Sequence, residues 1–436
     1  MPKHTLFFTL LVSALFFQSC QKDGAEMVSK EYRLYKPVYL DMEDYRPTSG
    51  ILASNPEIDR PDRMLTYGNY LFISDRRAGI HIVDNADPVN PQLVNFIQMP
   101  GIDELCIREN YLYVGDFADL VVFDISNPAN PELLQRSPYF FSDLEGLTAR
   151  GVLIDFELEE RKITVNVDDP NYQNDIFWIE SEQAYAVEQS LREVGGRFTA
   201  RDGLEFLDIT PNPISSDRVR NQYKFSLYGD NFYLVKNERL QVYNFNNGLI
   251  PVASYSLDDC REVRSVRAFE NYLLVYGERG LFVMDTRNPG VPQLIELFGS
   301  YNPCLPSFFT GNYGYIGVRT GACGRYTSSK GVYVHDFSEK EPVLWQVLNA
   351  ESPWDIEVVN EQTLVADWTS GLKVFSKPER PEPIERSAES IIDIRAFYIE
   401  HIPGSNIAVI GAIDGIYQYD FSKPGEPELL SVLPVK

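Results

Sequence analysis

A unit of about forty residues recurs along this chain, and a period of that length confines it to few architectures. From Gly68 the sequence reads GNYLFISDRRAGIHIVDNADPVNPQLVNFI, and from Glu109 it reads ENYLYVGDFADLVVFDISNPANPELLQ, nearly a residue-for-residue copy. The order is an alternating apolar run, a turn, a second run closed in most copies by Asp, a turn often built on Asn-Pro, and a third run. It returns from Asp230, Glu270 and Gly311, and in weaker form from Glu361 and Ser405. Aligned on one position, the copies fall at Tyr70, Tyr111, Phe232, Tyr272, Tyr313, Thr363 and Ile407, in steps of 41, 121, 40, 41, 50 and 44 residues. With a further short run ahead of each marker, such as Leu105 to Arg108, each copy carries four strands, as the blades of a β-propeller do.

No such blade can bury both faces alone, so blades must stack around an axis, and closing the ring removes long unprotected sheet edges. The expected fold is all-β, a single propeller of about seven four-stranded blades, with six or eight left open by the step of 121 residues. That step is about three repeat lengths, yet 171–201 is polar and Glu180 to Val194 has the pattern of a helix, so residues 137–220 read as an insertion between blades two and three. The propeller proper is expected over 51–436.

Residues 1–19 are set apart from the fold. Lys3 and His4 precede an apolar run, Leu6 to Phe17, too short for the roughly twenty residues a membrane span needs, which marks a signal peptide. Ser19-Cys20 resembles a lipobox, implying cleavage before Cys20 and a lipidated N-terminus there, with 20–50 as tether and lead-in strand. Gln21 to Glu26 resembles the signal that sends Bacteroidetes lipoproteins to the outer face of the outer membrane, so the expected location is a lipid-anchored, surface-exposed one. A formal charge of −24 and the lack of any basic cluster argue against nucleic acid as a partner.

The runs AGIHIVDNADPVNP, DLVVFDISNPANP and GLKVF resemble the LVIVD-repeat family of bacterial surface propellers, named for such a third strand. Pro37-Val38-Tyr39, Gly151-Val152-Leu153 and Gly195 to Thr199 resemble family features outside the core repeat. The resemblance implies a fold and a surface location, and no particular reaction. Where family members read Cys-Asp-Pro and Pro-His-Gly, this chain has Cys304-Leu305-Pro306 and Pro353-Trp354-Asp355.

Propellers take ligands at the mouth of the central channel, so function is sought in loops, not in the fold. Seven residues before the turn Asn or its equivalent lies one column, near the start of each inner strand: Asp62, Asp103, Lys224, Arg264, Leu305 and, with small gaps, Asp355 and Asp393. A ring of that kind suits a cation or a polar ligand; the same residues are also ordinary turn formers. Asp75, Arg76, Asp116, Asp119, Asp367 and Trp368 belong to loops expected on the same face, and Trp368 is either a stacking platform or blade packing.

Cys304 and Cys323 sit in two loops of the fifth repeat that emerge on one face, which makes them the expected disulfide, while Cys106 reads as a buried apolar thiol. No cofactor is implied. Calcium is possible at Asp168-Asp169-Pro170-Asn171 and Asn174-Asp175, although the spacing matches no defined calcium loop and other metals stay open. His81 and His335 lie in third strands and His401 in a connection, and there is no GxSxG elbow or HExxH helix. Two functions remain. The first is a non-enzymatic surface scaffold binding a protein or a glycan through the channel-mouth face. The second is an exported metal-assisted hydrolase or lyase with Asp62, Asp103, Asp355 and Asp393 gathered at that mouth. Nothing in the sequence bears on oligomeric state.

Overall fold

The computed structural model describes residues 27–76, 78–141, 147–148, 151–166, 176–177, 204–205, 225–236, 239–246, 249–256, 265–277, 280–298, 306–318, 330–338, 341–376 and 385–436. Among the described residues seven blade sheets follow one another along the chain, all antiparallel except where Glu385–Arg386 joins the outer strand of blade five in parallel. The first blade is Pro61–Tyr67, Tyr70–Asp75, Gly79–Asp84 and Gln92–Gln98, and the second is Ile102–Arg108, Tyr111–Asp116, Asp119–Asp124 and Glu132–Ser137. Blades three, four and five begin at Phe225–Tyr228, Ser265–Phe269 and Ser307–Thr310. Blade six is Pro353–Val359, Gln362–Asp367, Gly371–Phe375 and Ser390–Ile392, and blade seven is Ala396–His401, Ile407–Ala412, Gly415–Asp420 and Glu428–Pro434. His401 thus ends a strand instead of lying in a connection.

The second strand of each blade explains why the blades stack. Its side chains alternate between two apolar neighbours, so the strand is buried on both faces: Leu71 and Ile73 pack on blade seven, while Phe72 packs on blade two. The same alternation places Leu273 and Val275 against blade three and Leu274 and Tyr276 against blade five. Burying each such side chain contributes about 1.5–3 kcal/mol. Buried clusters of this kind lie between every successive pair of blades.

Blade two packs directly on blade three, with Phe141 and Phe225 stacked at 5.5 Å between ring centroids. The long step between their markers therefore holds no further blade, and the ring has seven. The segment expected to be helical, Glu180 to Val194, lies outside the described residues.

The Asp that closes most third strands is a turn former. Asp84, Asp124, Asp285, Asp336 and Asp420 each accept the backbone N–H two residues on, at 2.6–3.0 Å. Glycine opens the third strand for a steric reason: at Gly371, with φ +91°, a Cβ would stand 2.3 Å from the Ile392 carbonyl oxygen.

The ring closes without a shared strand, since blade one is built wholly from early residues and blade seven from late ones. Met64, Leu71, Ile73 and Val83 meet Val409, Ile416 and Leu433 there. Asn85 and Gln418, both buried, exchange two amide hydrogen bonds of 2.9 and 2.7 Å, and the Lys436 N–H donates to the Ile58 carbonyl at 2.9 Å.

Ahead of the blades, Met42–Tyr45 forms one helical turn and Ile51–Ala53 adds a fifth strand outside blade one. Tyr45 and Ser49 donate to Asp116, Arg46 donates to Asp119 at 2.7 Å, and Arg136 bridges both carboxylates at 2.7 and 3.1 Å. Gly151 and Val152 close this corner: with φ +98°, a Cβ on Gly151 would lie 2.3 Å from the Leu40 carbonyl oxygen, and Val152 is buried against Met42 and Tyr45.

Contacts divide the chain into two compact units, and the blades belong to the one spanning 39–155 and 213–436. In the other, 1–38 with 156–212, Ile176–Phe177 pairs antiparallel with Leu204–Glu205. No helix among the described residues is long and apolar enough to cross a membrane.

Candidate functional site

A β-bulge near the start of the inner strand shapes the channel mouth. The register shifts between Pro61 and Met64, Ile102 and Glu104, Pro353 and Asp355, and Ala396 and Tyr398. The extra residue is Asp103 in blade two, Trp354 in blade six and Phe397 in blade seven, while in blade one the shift spans Asp62 and Arg63. Such a bulge turns one side chain out of the ladder, and the next faces the channel. Counting seven residues back therefore merges two rows: Asp62 and Asp103 belong to the bulge row, whereas Asp355 belongs with Glu104 in the row behind it.

Each described member of the column has its own surroundings. Asp62 is buried and accepts from Arg76 at 3.1–3.2 Å. Asp103 adds to the negative field on the neighbouring Glu104. Asp355 accepts the Ile356 N–H at 3.0 Å and, across the blade boundary, the Ile399 N–H at 2.9 Å. Asp393 is exposed in the connection that precedes Ala396–His401. Lys224, Arg264, Leu305, Cys20, Cys304, Cys323 and Asp168 to Asp175 lie outside the described residues. Among the described residues no group of three or more His, Cys, Asp or Glu side chains is disposed to hold a metal ion.

The loop aspartates are occupied by the fold. Asp75 accepts the N–H groups of Asp59 and Arg60 at 2.9 Å each, with His81 at 3.0 Å behind it. Asp367 does the same for Glu351 and Ser352 at 2.6 and 3.1 Å, with Lys373 behind it at 3.2 Å. Each thus fastens the loop that enters its own blade. Asp119 is held below the usual carboxylate range: burial pulls it up, but Arg46, the Tyr139 N–H and Arg136 outweigh that pull.

Behind the mouth, charged side chains line the channel wall. Arg63 and Glu104 form a buried ion pair between blades one and two, and the second Glu104 oxygen has no hydrogen-bond partner among the described residues. Burial pushes the Glu104 carboxyl up to about 8 against the pull of Arg63. Glu400 accepts from the Thr66 N–H at 3.2 Å and the Tyr398 hydroxyl at 3.4 Å, and burial lifts it to about 7. Burial likewise raises Asp355 and Glu357, with Arg267 opposing both. Cys106 is a free thiol driven up by burial and by Glu104, which leaves it a poor nucleophile.

Blades six and seven give the mouth a different character. Trp354 and Phe397, both buried, pack with half-buried Trp368, Tyr398 and Ile413. The rings of Trp354 and Trp368 lie 5.6 Å apart at 43°. The Trp354 indole N–H donates to Ser352 Oγ at 3.3 Å, and the Arg395 guanidinium stands 5.9 Å over the Trp368 ring. Trp368 is thus both packed and outward-facing. Phe397, Ile413 and Arg395 were not legible from the sequence, because they belong to one of the two weaker repeats and the bulge between Ala396 and Tyr398 hides their register.

The LVIVD repeat family matches residues 63–97 and 103–137, so blades one and two are LVIVD repeats within a seven-bladed propeller. No curated protein matches the chain. Among solved structures, the computationally designed Ika8 protein is 11% identical, with a TM-score of 0.46 over 86% of this chain and 87% of its own. Hsv2 of Kluyveromyces lactis is 9% identical, with a TM-score of 0.46 over 84% and 96%. BamB of Moraxella catarrhalis is 9% identical, with a TM-score of 0.42 over 88% and 92%.

Proposed function

We propose that this propeller is a non-enzymatic cell-surface scaffold that binds a protein or a glycan through its channel-mouth face. The observation that carries the reading is the aromatic cluster of Trp354 and Phe397, at the inner-strand starts of blades six and seven, with Trp368 in the loop after the second strand of blade six. Aromatic rings with one half-buried face give a large apolar contact with a polar edge, as binding hot spots commonly do. Of the four carboxylates that a metal-assisted reaction would draw on, Asp62 is paired with Arg76 and Asp355 accepts two backbone N–H groups. The same proposal places the protein at the outer membrane, held by acyl chains on Cys20 and exposed at the surface.

Both halves are testable. The chain from Cys20 to the C-terminus, immobilised, is exposed to a glycan array and to solubilised envelope proteins, alongside Trp368→Ala. Capture that the substitution reduces at least ~10-fold supports the reading, and capture that ignores it removes the aromatic cluster from the binding face. In whole cells, labelled palmitate should enter the wild-type protein and not Cys20→Ala, and external protease should digest the anchored form. Labelling that survives Cys20→Ala would rule out the anchor.

A further inference from the structure

Several of the described arginines are neutralised. Arg46, Arg60, Arg76, Arg108, Arg136 and Arg287 each hold a carboxylate within 3.1 Å. Arg395 does not. It is exposed, it has no ion pair among the described residues, and its one described contact is the face of Trp368. What sets Arg395 apart from Arg239, which also lacks a carboxylate but bonds to Ser254, is that its guanidinium stands beside an aromatic ring and makes no other described contact. Its backbone is fixed as well: the Ile394 N–H bonds to the Ile392 carbonyl and the Ala396 N–H to the Ile394 carbonyl, each at 2.9 Å, which makes two successive tight turns around it.

A guanidinium held 5.9 Å from an indole centroid and without a carboxylate keeps its donors free, and those donors match a carboxylate or sulfate in a two-pronged contact. The neighbouring indole offers an apolar face of the size of a sugar ring. We propose that Arg395 and Trp368 form a subsite for an acidic saccharide, the pyranose lying against the indole and its anionic group paired with the guanidinium. The inference rests on the mouth-face binding reading above and commits it to a glycan bearing negative charge.

The chain's overall negative charge opposes anions at long range, but at physiological salt that field is screened beyond about 8 Å, so the direct pair decides. Asp393 lies two residues before Arg395 and forms no ion pair with it. The subsite therefore keeps its positive charge for a ligand.

The test is an array of uronate-, sialate- and sulfate-bearing oligosaccharides printed beside their neutral parents, probed with wild type, Arg395→Gln and Trp368→Ala. Wild type is expected to prefer acidic spots over their parents by about ten-fold or more, the worth of one charge-assisted pair. Arg395→Gln should erase that preference while leaving the parents' signal, and Trp368→Ala should reduce both. Uronate and sialate spots distinguish carboxylate from sulfate recognition. Equal binding to acidic and neutral members, or an acidic preference that survives Arg395→Gln, overturns the proposal while the aromatic binding face stands. Binding to none of the glycans overturns it too, and the capture of envelope proteins then decides whether that face binds anything. Near-ultraviolet circular dichroism of each variant separates loss of contact from loss of fold.

Discussion

Blades two and six use one backbone device for two ends. Both carry a bulge near the start of the inner strand, yet the extra residue is Asp103 in one and Trp354 in the other. Around blade two, second-strand and loop carboxylates are consumed internally, Asp116 and Asp119 by Tyr45, Arg46, Ser49 and Arg136. Around blade six, Asp367 is consumed likewise, but the bulge carries an aromatic ring that joins a cluster reaching the surface through half-buried Trp368, with the Arg395 guanidinium 5.9 Å from that ring. The bulge fixes the backbone, and each blade fills the freed position separately. One sector of the mouth holds the structure together, and the other carries the aromatic cluster on which the proposed binding rests.

The sharpest way to break this contrast is to remove its anchors. Asp116→Ala should cost about 3–5 kcal/mol, because Arg136 loses a buried partner, and Trp354→Ala should cost about the same by opening a cavity. Urea unfolding of both would show it; a loss under about 1 kcal/mol at Asp116 would mean that the lead-in segment is not part of the cooperative core. At the ring seam, Asn85→Ala should cost about 1–3 kcal/mol by orphaning Gln418, and a double-mutant cycle with Gln418→Ala should recover part of that loss.

A smaller effect comes from the channel wall. Glu104 at about 8 and Glu400 at about 7 titrate above their ordinary 4.5, so the folded state holds more protons than the unfolded one between those values. Stability is then greatest near pH 5 and falls as pH rises through 7 and 8, the reverse of what a paired carboxylate produces. The urea midpoint at pH 5.5 should exceed that at pH 8.5, and Glu104→Gln should flatten the difference; a midpoint that rises with pH would contradict the raised values. Smallest is Trp368→Ala, which should change stability by about 1 kcal/mol or less while reducing ligand capture, so that binding and folding separate at adjacent aromatic residues.

The repeat was legible because it is a packing requirement: every second strand must be apolar on both faces, and Asp84 or Asp124 must turn the chain, so both leave a mark in the sequence. The sequence pointed to about seven blades, which the structure has, but left six and eight open, because the step of 121 residues is resolved by contacts such as Phe141 on Phe225. The mouth was half legible. Asp62, Asp103, Asp355 and Trp368 do lie near the inner-strand starts, but a one-residue bulge leaves no trace in an aligned column, so Glu104 and Arg63 behind it went unread. Arg395 and Phe397 precede and open a strand whose repeat signal is weak, and their significance lies in contacts made across two blades.

The route by which the chain enters the ring also determines how it bears a load. A pull on the segment before Met42 reaches the blades through Tyr45 on Asp116 and Arg46 on Asp119, and then through Ile51–Ala53, which lies antiparallel along the outer strand of blade one. Force along that strand strains its hydrogen bonds in shear, several at once, instead of peeling them singly. The seam between blades one and seven lies off this path. Tension on the N-terminal segment should therefore detach the lead-in before it opens the ring, and a mouth-face ligand would stay seated while the protein is tugged.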